Sequence, residues 1–220
     1  MSTEIRDIAL FTTAAALAAT AVMLVPGIAL AWLLARRRFP GKAVVETLVS
    51  LPLVMPPVAT GLLLLWLLGR RGPIGRLLEP MGVEIVFTPA AVVMAMSIMG
   101  LPLLVRTARA GFEQVTRRYE QIAETLGAGP WRVFTSVTLP LASRNILAGA
   151  LLGFTRALGE FGATIVVAGS IPGRTRTLAV GIYSFTETGQ DEQAAALLAI
   201  SIALAFGAVL IANRLARVDS

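Results

Sequence analysis

In the stretch Tyr119-Glu-Gln-Ile-Ala-Glu-Thr-Leu-Gly-Ala-Gly-Pro-Trp-Arg-Val-Phe-Thr-Ser-Val-Thr-Leu-Pro140, two short helical patterns meet at glycine. The first carries Ile122, Ala123 and Leu126 on one face and runs into Gly127. A glycine there takes positive φ without a steric penalty, so the chain can turn sharply. The second pattern presents Trp131, Phe134 and Val137, and Leu139-Pro140 ends it before the next apolar run. Proline lacks an amide hydrogen and its ring clashes with the preceding turn. The expectation is a small helical knob whose apolar and basic groups insert into a groove on a partner.

The knob lies in the one substantial polar segment, residues 106–144, and long apolar runs flank it on both sides. Residues 8–35 carry no charge, contain Pro26-Gly27, and end at Arg36, Arg37 and Arg38. Residues 47–68 include Pro52, Pro56 and Pro57, so broken backbone is expected there, inside a bundle or along a cavity. Further runs cover residues 86–105, 146–167 and 194–212. About 20 apolar residues suffice to cross a bilayer. The fold class expected is therefore all-α: one polytopic membrane domain over residues 1–220, with about five transmembrane helices.

Composition supports this. Of 220 residues, 56% are hydrophobic and 15% charged, against about 25% charged in a soluble domain. Mean hydropathy is +0.77. The absence of Cys excludes disulfides and thiolate metal sites, and the absence of His removes the commonest general acid and base. Both weigh against an enzyme. A net charge of +6 in a soluble protein would suggest nucleic acid, but here the basic residues sit between apolar runs. The start of the chain is short and mixed in sign (Glu4, Arg6, Asp7), unlike a signal peptide.

Counting Lys and Arg gives topology. Residues 36–42, 106–144 and 214–217 together hold twelve, and the opposite side holds six. The richer side is expected to be cytoplasmic, which puts the N-terminus outside and the C-terminus inside.

The spacing around the knob is specific. Gly127 is followed by nine residues and then by Val137-Thr138-Leu139-Pro140. This resembles the cytoplasmic loop signature of ABC importer permeases: an acidic-Ala-Ala start, a Gly, nine residues, then Ile-x-Leu-Pro. In strict register the start is Gln121, Ile122 and Ala123, so this chain departs from the pattern, with Glu120 and Glu124 flanking the acidic position. Ser50-Leu-Pro-Leu-Val-Met-Pro-Pro-Val-Ala-Thr-Gly61 resembles the molybdate permease subfamily. So do Phe154-Thr-Arg-Ala-Leu-Gly-Glu-Phe-Gly-Ala-Thr164 and Gly169-Ser-Ile-Pro-Gly-Arg-Thr-Arg-Thr-Leu178. The Gly-Glu-Phe-Gly-Ala-Thr portion is shared with sulfate and tungstate relatives.

The resemblance implies a type I ABC importer permease fold in the inner membrane. It implies a homodimer forming the pore, two ATP-binding subunits gripping the loops from the cytoplasm, and an oxyanion-binding protein outside. ATP and Mg would sit on the partner ATPase, with no cofactor on this chain and no nucleic acid. The sequence has no Gly-x-x-x-x-Gly-Lys-Ser/Thr phosphate loop of its own. The cargo implied is molybdate, with sulfate or tungstate as alternatives. A different class, an ATP-independent secondary transporter, gives no reason for the loop motif. The coupling residues implied are Glu120, Ala123, Glu124, Gly127, Trp131, Leu139 and Pro140.

The candidate pathway residues are Ser50, Pro52, Pro56, Pro57, Thr60, Arg156, Glu160 and Thr164. An ionisable residue within a span is a functional hypothesis by default. Arg156 and Glu160 lie four apart on one helical face, so mutual pairing is the structural alternative. A carboxylate lining an oxyanion path would repel the cargo, which favours pairing for Glu160, whereas Arg156 can attract an anion. The prolines can shape a gate or fill a packed kink. Hydroxyls such as Ser50, Thr60, Thr155 and Thr164 can donate to an oxyanion, but more often they bond their own helix. Trp32 and Trp66 read as interface anchors, and Trp131 as a partner contact.

Overall fold

The computed structural model describes residues 3–217, with side chains as far as Ile211. Arg214 and Arg217, which contributed to the charge count, lie outside the described side chains. Every element among the described residues is helical. In order they are α1 (Thr3–Arg36), α2 (Lys42–Val54), α3 (Pro57–Leu68) and α4 (Pro73–Leu78), the last followed by a 3-10 turn at Glu79–Met81. Then come α5 (Pro89–Gln114), α6 (Arg117–Thr125), α7 (Pro130–Val133) and a π-turn at Phe134–Thr138. The chain finishes with α8 (Leu139–Leu158), α9 (Gly162–Ala168), α10 (Leu178–Glu187) and α11 (Asp191–Arg217).

Helix α5 is the centre. It packs along α1 on one side and α8 on the other. Small side chains make this possible: Ala15, Ala16 and Ala19 of α1 meet Ala91, Val92, Ala95, Met96 and Met99 of α5, with Ala157 and Leu158 of α8 in the same cluster. Lipid tails are as apolar as leucine, so close backbone approach and dense packing, rather than expulsion of water, hold such helices together. Large apolar residues are left on the outside, including Val25, Val54, Trp66 and Phe206. A second cluster closes the other end, where Leu34 of α1 and Leu104, Ala108 and Phe112 of α5 pack with Ile146 of α8.

Among the described residues, four helical stretches are long and apolar enough to cross a membrane: Thr3–Arg36, Pro89–Gln114, Pro130–Leu158 and Asp191–Ile211. The stretches Lys42–Val54 and Pro57–Met81, which contain α2 and α3, make a fifth only as a broken pair, bent by 115°. The run at 47–68 is thus not one straight span. A residue before proline is pushed out of the α region. Met55 precedes Pro56, Pro56 precedes Pro57, and both are extended (φ −69°, ψ 144° and φ −54°, ψ 130°).

Three other expectations are corrected. The span expected at 86–105 continues to Gln114, because Ala108, Gly111 and Phe112 keep one face buried past Arg106. The polar segment therefore starts at Val115, not at 106. Pro140 does not end a helix: helical backbone runs from Pro130 to Leu158. The π-turn absorbs the proline, with the Leu139 amide donating to Phe134 O, five residues back. Lastly, the span expected at 146–167 breaks after Leu158, and α9 is a separate short helix.

Candidate functional site

The knob comprises α6, α7 and the turn between them. Two reversed hydrogen bonds close α6: the Ala128 amide donates to Ala123 O (3.0 Å) and the Gly127 amide to Glu124 O (2.9 Å). Gly127 has φ 85°, the left-handed conformation that this closure requires. Gly129 and Pro130 then start α7, with proline at a position whose amide needs no partner. Leu126 is 82% exposed and Trp131 76%. Glu124 and Pro140 are exposed, while Ala123 and Leu139 are half-buried. Phe134 is not presented outward as expected. It turns into the body, 5.8 Å from the Trp32 ring and 6.3 Å from that of Phe112. Trp32 is accordingly a packing residue, with the Arg37 guanidinium over its ring at 5.7 Å.

Glu120 reaches inward from α6. Its Oε1 accepts from Arg36 Nη2 at the end of α1 (2.9 Å) and from Thr138 Oγ1 in the π-turn (2.6 Å). Arg36 Nη2 also donates to Val115 O, just past α5 (2.9 Å). Above this cluster lies a groove of about 390 Å³, bordered by Trp32, Arg37, Arg117, Gln121 and Pro130. At the same end, Glu46 of α2 is held 2.8 Å from Arg109 of α5, which also reaches Glu113 at 2.7 Å.

The candidate pathway residues fall at the two broken spans. Ser50 and Pro52 lie half-buried in α2, and Pro56 forms the break. Pro57 and Thr60 are in the first turn of α3, and Thr164 is in the first turn of α9. Those first turns touch. A Cβ on Gly61 would stand 2.7 Å from Ala163 O, and one on Gly162 would stand 2.8 Å from Pro57 Cβ. Arg156 and Glu160 do pair, with Nη1 2.7 Å from Oε2 and side-chain exposures of 26% and 1%. Oε2 makes this ion pair without a well-directed hydrogen bond. Oε1 accepts from the Ala163 amide (2.7 Å), so the same carboxylate caps α9. Thr155 bonds its own helix at Leu152 O (2.9 Å). The buried Thr60 and Thr164 hydroxyls do not, and have no partner among the described residues.

A membrane bundle with a surface knob and two broken spans narrows the families to consider. Residues 27–218 match the family model described as binding-protein-dependent transport system inner membrane component. The chain belongs to this family. Among its relatives is the molybdenum transport system permease protein ModB of Escherichia coli K12, 49% identical over 195 residues, covering 88% of this chain and 85% of the relative. The sulfate transport system permease protein CysT of the same strain is 35% identical over 195 residues, covering 87% and 70%. A crystal structure of a bacterial alginate ABC transporter, in complex with alginate pentasaccharide-bound periplasmic protein, matches 99% of this chain and 80% of the solved chain. The TM-score is 0.70 at 19% identity, which establishes the fold. This inner membrane component thus has the fold of ABC importer membrane subunits and is a multi-pass inner membrane protein.

Two residues of this inner membrane component escaped the sequence reading. Arg36 counted only toward topology, and Thr138 appeared only as the variable position before Leu139-Pro140. No spacing rule links residues 84 and 18 positions away from them or identifies their common partner, Glu120.

Proposed function

We propose that this chain is the pore-forming permease subunit of an ATP-driven importer that carries molybdate into the cytoplasm. The observation that carries the cargo assignment is the 49% identity to a molybdenum permease over most of both chains. The knob supports the mechanism. Exposed Leu126 and Trp131, on a turn fixed by Gly127, suit insertion into a groove on an ATPase subunit. Two copies of the chain would form the pore, with two such ATPases below and an oxyanion-binding protein outside. ATP and Mg belong to the ATPases, and this chain supplies no catalytic group. The Lys and Arg count supports a cytoplasmic knob, with the N-terminus outside and the C-terminus inside.

Glu120, Ala123, Glu124, Gly127, Trp131, Leu139 and Pro140 would couple the ATPases to the spans. Ser50, Pro52, Pro56, Pro57, Thr60, Arg156, Glu160 and Thr164 would border the route of the anion. The buried hydroxyls of Thr60 and Thr164, with no partner among the described residues, are donors available to an oxyanion. The identity to a sulfate permease keeps sulfate as the second reading of the cargo.

Reconstitution in liposomes with the ATPase and a loaded binding protein tests this. Molybdate uptake should require ATP and all three components. Gly127→Pro cannot take φ 85° and loses the amide that closes α6, so uptake should fall at least about tenfold. ATP-independent uptake would overturn the importer reading, and uptake of sulfate but not molybdate would overturn the cargo.

A further inference from the structure

We infer that Glu120 is the positioning residue through which a push on the knob moves several spans together. The inference rests on the reading that the knob is what the ATPase grips. Helix α6 has no buried residue of its own. A helix lying so loosely on the surface transmits force only where something ties it down. Glu120 supplies that tie. Its side chain is 18% exposed and that of Arg36 10% exposed, so the pair sits largely out of water.

One carboxylate oxygen ties α6 to the ends of two elements, and through Arg36 to a third. It accepts from Arg36, the last residue of α1, and from Thr138, the last residue of the π-turn before α8. The same Arg36 nitrogen donates to the carbonyl of Val115, which follows α5, and Glu120 itself belongs to α6. Hydrogen bonds to charged groups are shorter and about twice as strong as neutral ones. Breaking one member of a pair this buried leaves the other uncompensated.

The Thr138 arm has a particular consequence. Between α7 and α8 the chain passes through the π-turn, where Leu139 bonds five residues back and Pro140 has no amide hydrogen to offer. Such an i→i+5 turn is wider than an α turn, and Pro140 leaves it one backbone donor short. A force entering at Trp131 and travelling along the backbone would be spent on deforming it. The Glu120–Thr138 hydrogen bond bypasses most of that turn and delivers the displacement to its last residue, immediately before α8. The acidic residue one position before strict motif register is therefore placed where it couples α6 to α1 and α8 at once.

The experiment uses the full complex of permease, ATPase and binding protein in liposomes. It reads molybdate uptake per ATP hydrolysed, and separately the ATPase subunits copurifying with the permease. For Glu120→Gln, uptake per ATP should fall about tenfold while copurification is kept. Arg36→Glu alone should do the same. Combining it with Glu120→Arg should restore the ratio to within about threefold of wild type, which a purely local role would not produce. Thr138→Val, a milder change that keeps the ion pair, should lower the ratio about threefold. Loss of copurification in Glu120→Gln would make Glu120 a docking contact and overturn the proposal. An unchanged ratio, or a charge swap that rescues nothing, would overturn it too. A wild-type complex lacking ATP-dependent uptake would overturn the importer reading and this inference together, whereas the other failures strike the inference alone.

Discussion

The break between α2 and α3 and the break between α8 and α9 touch each other through Pro57 and Gly162, yet they are made of different chemistry. At Met55–Pro57 the chain turns where two consecutive prolines disfavour helical backbone before them, and no side chain caps α3. At Gly159–Phe161 there is no proline. Here a buried carboxylate, Glu160, binds Arg156 of α8 with one oxygen and the Ala163 amide of α9 with the other. The first break is favoured by the covalent chain itself. The second depends on a charge pair in a low-dielectric place and lasts only while both partners stay in position. Of the two, the second is the one that a change of state can undo, so the α8–α9 corner is the better hinge.

The largest effect should come from breaking that corner. Glu160→Ala leaves the Arg156 guanidinium without its counter-charge and the Ala163 amide without its acceptor. Removing one member of a buried pair costs about 3–5 kcal/mol, and a fall in thermal midpoint in detergent would show it. Glu160→Gln keeps an acceptor for Ala163 and loses only the charge, so its midpoint should lie between those of wild type and Glu160→Ala. Equal midpoints for the two variants would show that the cap contributes nothing and would leave the ion pair as the whole brace.

A middle-sized effect tests the contact between the two breaks. Gly61→Ala places a methyl 2.7 Å from Ala163 O and 2.8 Å from Ala163 Cα, both backbone atoms that cannot swing aside. Overpacking of this kind costs about 1–3 kcal/mol. Uptake should fall along with the thermal midpoint, because α3 and α9 are forced apart where the candidate pathway residues Thr60 and Thr164 lie. A Gly61→Ala variant as stable as wild type would mean that the two half-helices slide freely past each other.

What could be read from residues alone follows the same division. Apolar runs, the turn at Gly127 and the prolines of the second run act locally, so the bundle, the knob and the first break were legible. The pairing of Arg156 with Glu160 was legible as a spacing of four, but not the second bond that makes Glu160 a cap. Helix α5 runs past Arg106 because Ala108, Gly111 and Phe112 stay buried, and one small residue, one glycine and one ring among charges do not stand out as a face. Pro140 looked like a terminator because the wider turn that absorbs it has no signature of its own in the sequence. Three threonines looked alike, and only the fold separates Thr155, which bonds its own helix, from Thr60 and Thr164, which do not.

The smallest effect should come from the first break. Pro56→Ala restores one amide hydrogen and relaxes Met55, yet Pro57 still excludes residue 56 from the α region. The 115° bend should therefore survive. Residue 56 already sits near φ −54°, so the native backbone suits proline, and the loss comes mainly from greater freedom in the unfolded chain, about 0.4–1 kcal/mol. Uptake should stay within about twofold of wild type, since a free-energy change of this size alters an equilibrium by only a few-fold. Replacing Pro56 and Pro57 together is the sharper version. With both gone, no proline stands between α2 and α3, and the bend must then rest on packing, of α3 against α9 and of α2 against α5. Spin labels at exposed Leu48 and Trp66, in a chain with no native Cys, would report the separation of the two helices directly. An unchanged distance in the double variant would transfer the cause of the bend from the prolines to the braced corner opposite.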